Sequence, residues 1–309
     1  MPYRLRHGET VATGIPRIVR EQIDRALLDA AELERAEAVH QVRKRCKKIR
    51  AVLRLVRGPL EQDDLYTLEN AWYRDTARRL SGVRDADAMI ETFDKLVGPG
   101  DESPVFGSVR SGLIARRDRA ADDAGDVTER LLAAASALRE GALRVGSWRI
   151  SEDFETIVPG LTKTYRRGRT AMEVAYDSPS TAQFHEWRKR VKYHWYHCRV
   201  LEGLWKPVMA GRVKALSDLS DRLGDDHDLG VLSETLTAAP QDFAEGGGLA
   251  AVLGMAERRR QELQADARII GEKVYAEKAK AFSSRCRHYW EAWCREDEAQ
   301  ISPAAEAAE

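Results

Sequence analysis

The chain has 309 residues, with Lys plus Arg and Asp plus Glu both at 50, so its formal net charge is zero. That balance is unlike a general nucleic-acid binder, whose whole surface tends to be basic. With 43% hydrophobic and 32% charged residues, four cysteines without metal spacing and no apolar run of the roughly 18 residues a spanning helix needs, a disulfide scaffold and a helical membrane protein are also excluded.

Strand signals are scarce, whereas long Ala, Leu, Arg and Glu stretches favour an all-α chain. Near the N-terminus, Arg6-His7-Gly8-Glu9-Thr10 resembles the opening motif of histidine phosphatases. No alternation of strands and helices follows, so the motif is read as chance. Helices are expected at Ile15 to Glu34 and Ala36 to Val56. In the second of these, His40, Arg43, Lys47, Arg50, Arg54 and Arg57 step by three and four, giving one basic stripe within an arc of roughly 100°. Val39, Val42, Cys46, Ile49, Leu53 and Val56 run beside it as an apolar stripe.

Further helices are expected at Asp64 to Ser81, Asp85 to Val97, and Val105 to Val145 with a break near Gly125. The pattern then returns. Helices at Glu155 to Tyr176 and Ser180 to Leu204 bring a second basic stripe, His185, Arg188, Lys192 and Arg199, beside Phe184, Trp187, Val191, Cys198 and Leu201. Segments at Met209 to Leu223, Asp228 to Leu236 and Leu249 to Cys294 complete the second half, with a disordered tail from 297 to 309. Arg43-Lys44-Arg45 aligns with Arg188-Lys189-Arg190, and Arg79 to Asp85 aligns with Arg222 to Asp228. An internal duplication explains the register, with half-repeats of about 10–149 and 150–295 inside one domain spanning 5–295. Asp85 and Asp228, each ahead of a helical run, read as helix caps.

These residues resemble the CHAD family, the conserved-histidine α-helical domain. The resemblance rests on His40-Gln41-Val42-Arg43-Lys44, on His185-Glu186-Trp187-Arg188-Lys189, on the turns from Leu80 to Asp85 and Leu223 to Asp228, and on the lead-in from Gly160 to Arg169. It implies two four-helix bundles about a pseudo-twofold axis, with a central basic groove that binds inorganic polyphosphate. It also implies association with polyphosphate granules, and a stand-alone module, since the alternating Glu and Lys strands of a CYTH domain are not seen. A cytoplasmic location is expected from the lack of a spanning run and of signal-peptide order at the N-terminus. No cofactor and no catalysis are expected. The residues this implies at the groove are His40, Arg43, Lys44, Lys47, Lys48, Arg50 and Arg54, then His185, Arg188, Lys189, Lys192 and Arg199. Lys163, Tyr165, Arg166 and Arg169 join from the lead-in helix, with Arg116, Arg117, Arg258 and Arg259 as peripheral candidates.

Two other classes are weighed against this one. The repeated histidines would suit a metal or phosphotransfer protein, but Arg43, Lys44 and Lys47 beside His40 would repel a divalent cation. Nucleic acid is a third class, with Trp187, Tyr193, Trp195 and Tyr196 as possible stacking rings, most of them on or near the apolar stripe. His194 and His197 have no counterpart in the first half and read as packing or rim residues.

Overall fold

The structure, a computed structural model, describes residues 3–61, 64–80, 85–98, 104–123, 126–243 and 248–301. Among them there is no strand, and every long element is an α-helix. α1 (Val11–Glu32), α2 (Arg35–Leu55), α4 (Leu65–Arg79) and α7 (Val127–Val145) pack together as one set. α8 (Val158–Asp177), α9 (Thr181–Val200), α10 (Lys206–Ala238) and α11 (Gly248–Val274) form a second set in the same order, and α12 (Ala279–Ile301) lies against α8. α3 (Arg57–Leu60) is a single turn after α2.

α1 starts at Val11, earlier than expected, because Thr10 and Thr13 cap it reciprocally. The Thr10 hydroxyl accepts from the Thr13 amide at 3.3 Å, and the Thr13 hydroxyl accepts from the Thr10 amide at 3.1 Å. α2 is the centre of the molecule. Its expected apolar stripe, Val39, Val42, Cys46, Ile49 and Leu53, is fully buried, and so are Ala38, Ala51, Val52 and Leu55 on other azimuths. A helix buried on more than one side needs cover on more than one side, and α2 has it from α1, α4 and α7 and from α8 and α9. One continuous apolar core therefore runs through both sets.

The contact with α8 is very close. A Cβ built on Gly160 would stand 2.1 Å from the Leu55 carbonyl oxygen, so only glycine lets the first turn of α8 meet the end of α2. His197 of α9 ties the other side, its Nε2 donating to the Ala51 carbonyl at 2.8 Å.

The remaining pair, α5 (Asp85–Val97) and α6 (Pro104–Asp123), does not stay with the first set. It crosses onto α10 and α11, where Ile90, Phe93, Val109 and Leu113 bury against Leu232, Leu236, Phe243 and Val252 in a second core. The two halves are cross-braced rather than merely adjacent.

Three expectations are corrected. α10 runs unbroken through Gly224 to Asp228, so Asp228 is a mid-helix residue and caps nothing. Tertiary contacts outweigh the weak helix propensity of this stretch: Asp226 is buried and accepts from Arg260 at 3.1 Å and from Gln264 at 2.7 Å, both on α11. The long final helix is two helices, α11 and α12, and the turn between them is pinned by Tyr165, which donates to the Glu277 carbonyl at 2.8 Å. α12 also continues to Ile301, past the expected start of the tail at 297; residues 302–309 lie outside the described residues. So do residues 81–84, between α4 and α5, and the side chain of Asp85.

Two glycine substitutions are expected to act in opposite directions. Gly160→Ala forces α8 off α2 and lowers the melting temperature by several degrees. Gly211→Ala, at a mid-helix position with nothing within 4 Å of the added methyl, leaves it unchanged or raises it by up to about 2 °C. Thermal unfolding monitored by circular dichroism checks both, and equal shifts would remove the close-approach explanation.

Candidate functional site

α2, α8 and α9 converge with their cations inward to one another. Towards the C-terminal end of α2, Arg54, Arg57, Lys163, Arg167 and Arg190 surround one recess with Tyr66, Tyr193, Gly160 and Thr164. The Arg54 guanidinium lies 4.0 Å from the centre of the Tyr193 ring, and that of Arg57 lies 4.6 Å from the Tyr66 ring. Such stacking fixes a guanidinium while leaving its edge N–H groups for a ligand. Arg50 donates to Asn70 at 3.2 Å and its carbonyl accepts from Arg54 at 2.8 Å, which orders the row along α2.

The recess is electrostatically unfavourable as it stands. Burial lowers the Arg54 pKa, and Arg50 and Arg190 lower it further, while Tyr193 and Tyr66 act the other way. Arg167 is lowered by burial and then by Arg190, Arg57 and Arg54, and Lys163 by burial and then by Arg57, Arg167 and Arg166. Arg190 and Arg57 do have carboxylate partners, in Glu186 and Glu61. Among the described residues, no ion pair within 4 Å is made by Arg54, Lys163 or Arg167.

Further along, Lys47 acts electrostatically on His185, Lys44 on Lys192, and Arg199 on Lys48, joining α2 to α9. Burial, then Arg188 and Lys44, lowers the Lys192 pKa, with Asp221 opposing. The Lys192 ammonium and the Arg199 guanidinium both lie over Trp195, at 4.9 and 5.1 Å from its ring centre. Arg188 rests on Gly224 of α10, and its Nε is buried with no hydrogen-bond partner among the described residues, so one donor is left over. The His185 and His227 Nδ1 atoms are 3.2 Å apart. Burial lowers both rings, with His227 at about 4 and His185 adding to its shift, so the pair is neutral at pH 7 and one Nδ1–H donates to the other.

The expected stripes thus meet in part: Lys44, Lys47 and Arg54 act on Lys192, His185 and Tyr193 of α9, whereas Arg43 and Arg50 turn to Leu80 and Asn70 at α4. Tyr165 is not at this surface. It is fully buried between His194, Tyr275 and Phe282, because its position on α8 points away from Lys163 and Arg167. Lys48 is only 6% exposed and lies over the Tyr3 ring. Lys189 and Arg169 are exposed and pair with Glu186 and Glu173. Arg116 and Arg117 stand on α6 and Arg258 and Arg259 on α11, where Arg117 pairs with Asp118 and Arg259 with Glu262. Sequence reasoning passed over Arg167 and Arg190, although Lys163 and Arg167 are one turn apart on a single face. His194 and His197 are core residues with no exposure.

The phosphatase-like motif has a structural role. Glu9 binds Arg17, the Arg6 side chain donates to Glu21 at 2.6 Å, and the His7 Nε2 accepts from the Trp293 indole at 2.9 Å. Among the described residues, no group of three or more His, Cys, Asp or Glu could hold a metal ion, and no helix is long and apolar enough to cross a membrane.

The helical fold with paired His-x-x-Arg helices is matched by the family model of the CHAD domain over residues 17–237. The chain belongs to the CHAD domain family. Its fold is also that of the crystal structure of the CHAD domain from the plant Ricinus communis. That likeness has a TM-score of 0.59 at 20% identity, and covers 89% of this chain and 95% of the plant one. Comparison with curated proteins gives no match. In this CHAD domain α2 and α9, which carry His40 and His185, lie together at the cationic face, with α8 between them and α12.

Lys48 offers a direct test of that field. Burial, then Arg45, Arg199, Lys44 and Arg25, lowers its pKa to about 7. An unfolded lysine has a pKa near 10.4, so between about pH 7 and 10 the unfolded chain binds more protons and stability rises with pH. Lys48→Met is expected to raise the melting temperature at pH 7, with the gain shrinking as the pH approaches 10. Equal gains at pH 7 and 9.5 would show that the amine titrates normally.

Proposed function

We propose that this CHAD protein binds inorganic polyphosphate along the face built by α2, α8 and α9, and that it does so without a chemical step. One observation carries the reading: cations from three helices are held against their own repulsion around the Arg54, Lys163 and Arg167 recess. Folding spends stability to keep such charges together, and a polyanion relieves the cost through charge-assisted hydrogen bonds and counterion release. Guanidinium edges suit phosphate oxygens bidentately, and the lysines add mobile point charges. The neutral His185 and His227 pair beside Arg188 supplies polar N–H contact without added charge.

Nucleic acid is disfavoured by the aromatic rings. Trp195, Tyr193 and Tyr66 carry the protein's own cations on their faces, which leaves them poorly placed to stack on bases. In a cell, such a face would attach the protein to polyphosphate-rich bodies in the cytoplasm.

Fluorescent long-chain polyphosphate titrated at several salt concentrations tests the reading, with orthophosphate and single-stranded RNA as competitors. Binding is expected to fall steeply with salt and to survive both competitors. Arg54→Gln with Arg167→Gln should weaken it by about tenfold or more and reduce the salt slope by nearly two, one per lost cation. Arg43 and Arg188 are poorer choices because Arg43 ties α2 to the Leu80 carbonyl at the end of α4 at 3.2 Å and Arg188 packs on Gly224 of α10, whereas the backbone bond of Arg54, to Arg50, stays within α2. An unchanged slope, or displacement by RNA at matched phosphate, rejects the proposal.

A further inference from the structure

A second recess, of about 530 Å³, opens between α8 and α12. Its cations are Lys163, Arg166, Lys280 and Arg287. Hydroxyls stand among them: Thr162 donates to the Val158 carbonyl at 2.8 Å and lies 2.9 Å from Ser283, with Ser284 alongside. Val158 and Pro159, the first residues of the 20-residue α8, also line it, so the positive end of that helix dipole opens into the same space. Among the described residues, the carboxylates within 4 Å of its cations are Glu155, 2.9 Å from Arg287, and Glu291, 3.9 Å from the same side chain, while Glu61 acts on Lys163 without pairing with it. Lys280 and Arg166 are exposed and make no ion pair among the described residues. α12 lies beyond residues 17–237, the segment matched by the family model.

Lys163 belongs to both recesses. On α8, Pro159, Thr162 and Arg166 form one row and Gly160, Thr164 and Arg167 another, roughly 100° apart, with Lys163 on the ridge between them. The same ammonium can therefore contact a phosphate on either side.

Resting on the polyphosphate reading, we propose that the α8–α12 recess is a second phosphate subsite, into which a polyphosphate chain lying on the α2–α9 face continues over Lys163. Occupation of the second subsite is then intramolecular for any chain long enough to reach it. Affinity rises in a step with chain length, and chains confined to the first face gain nothing from α12.

The test is binding of polyphosphates of graded length to the full chain and to Lys280→Glu with Ser284→Glu, neither of which touches the first face. The double variant is expected to bind short chains within about twofold of the parent. It should lose the length step, a loss of about tenfold for long chains. Lys280→Gln with Ser284→Ala, a milder pair that guards against misfolding, should shrink the step and reduce the salt slope for long chains only. Equal weakening for short and long chains would mean a diffuse field and overturn the subsite, as would a step that persists in both variants. If Arg54→Gln with Arg167→Gln still weakens binding in either case, the first face stands and the subsite alone fails. A parent protein that binds no polyphosphate of any length overturns both.

Discussion

The approach of α8 to the end of α2 governs the arrangement of charge in this molecule. With glycine at 160 the two backbones meet near the Leu55 carbonyl, and that spacing puts Lys163 and Arg167 within reach of Arg54 and Arg57. The same approach closes α2 between two sets of helices, so the apolar burial that holds the fold together also compels the cations to converge. Hydrophobic packing supplies the force, and electrostatic repulsion is carried as a smaller opposing term. A chain of zero net charge accommodates this by placing its carboxylates elsewhere. Glu61 holds Arg57 and Glu186 holds Arg190 at the recess, and Asp29 holds Arg45 farther up α2.

The core around α9 shows how polar groups are kept neutral beside that field. His197 is lowered to about 4 by burial, and its partner is a carbonyl rather than a charge. His194 accepts from Arg212 at 3.1 Å, and burial together with that guanidinium keeps it unprotonated. Histidines at these positions thus lend hydrogen bonds between helices without adding to the positive potential.

Much of this was legible before any coordinates. The three-and-four spacing of Arg43, Lys47, Arg50 and Arg54, and its return at His185, Arg188 and Lys192, follows from helical geometry alone, and so does the all-helical class. What could not be read is which azimuth each neighbour covers. Tyr165 and Arg167 are two residues apart on α8, yet one is core and the other lines the recess, because α12 and the α11 end cover one side and α2 approaches the other. Lys48 was counted with the surface cations, although the whole side chain is buried and its ammonium lies over the Tyr3 ring. The Gly224 to Asp228 stretch looked like a break on propensity, but it is helical where Arg260 and Gln264 of α11 hold the buried Asp226.

The double-sided burial of α2 also bears on how the chain is made. α2 ends at Leu55, and the helices that cover its second side begin at Val158, roughly one hundred residues later. At a synthesis rate of about 5–20 residues per second, Ala51, Val52 and Leu55 wait on the order of 7–30 seconds until α9 ends at Val200 and both α8 and α9 are made. During that interval the basic stripe on the same helix is complete and repels like stripes on neighbouring nascent chains. The cations that converge in the folded protein therefore also act to keep half-made chains apart until the second half arrives.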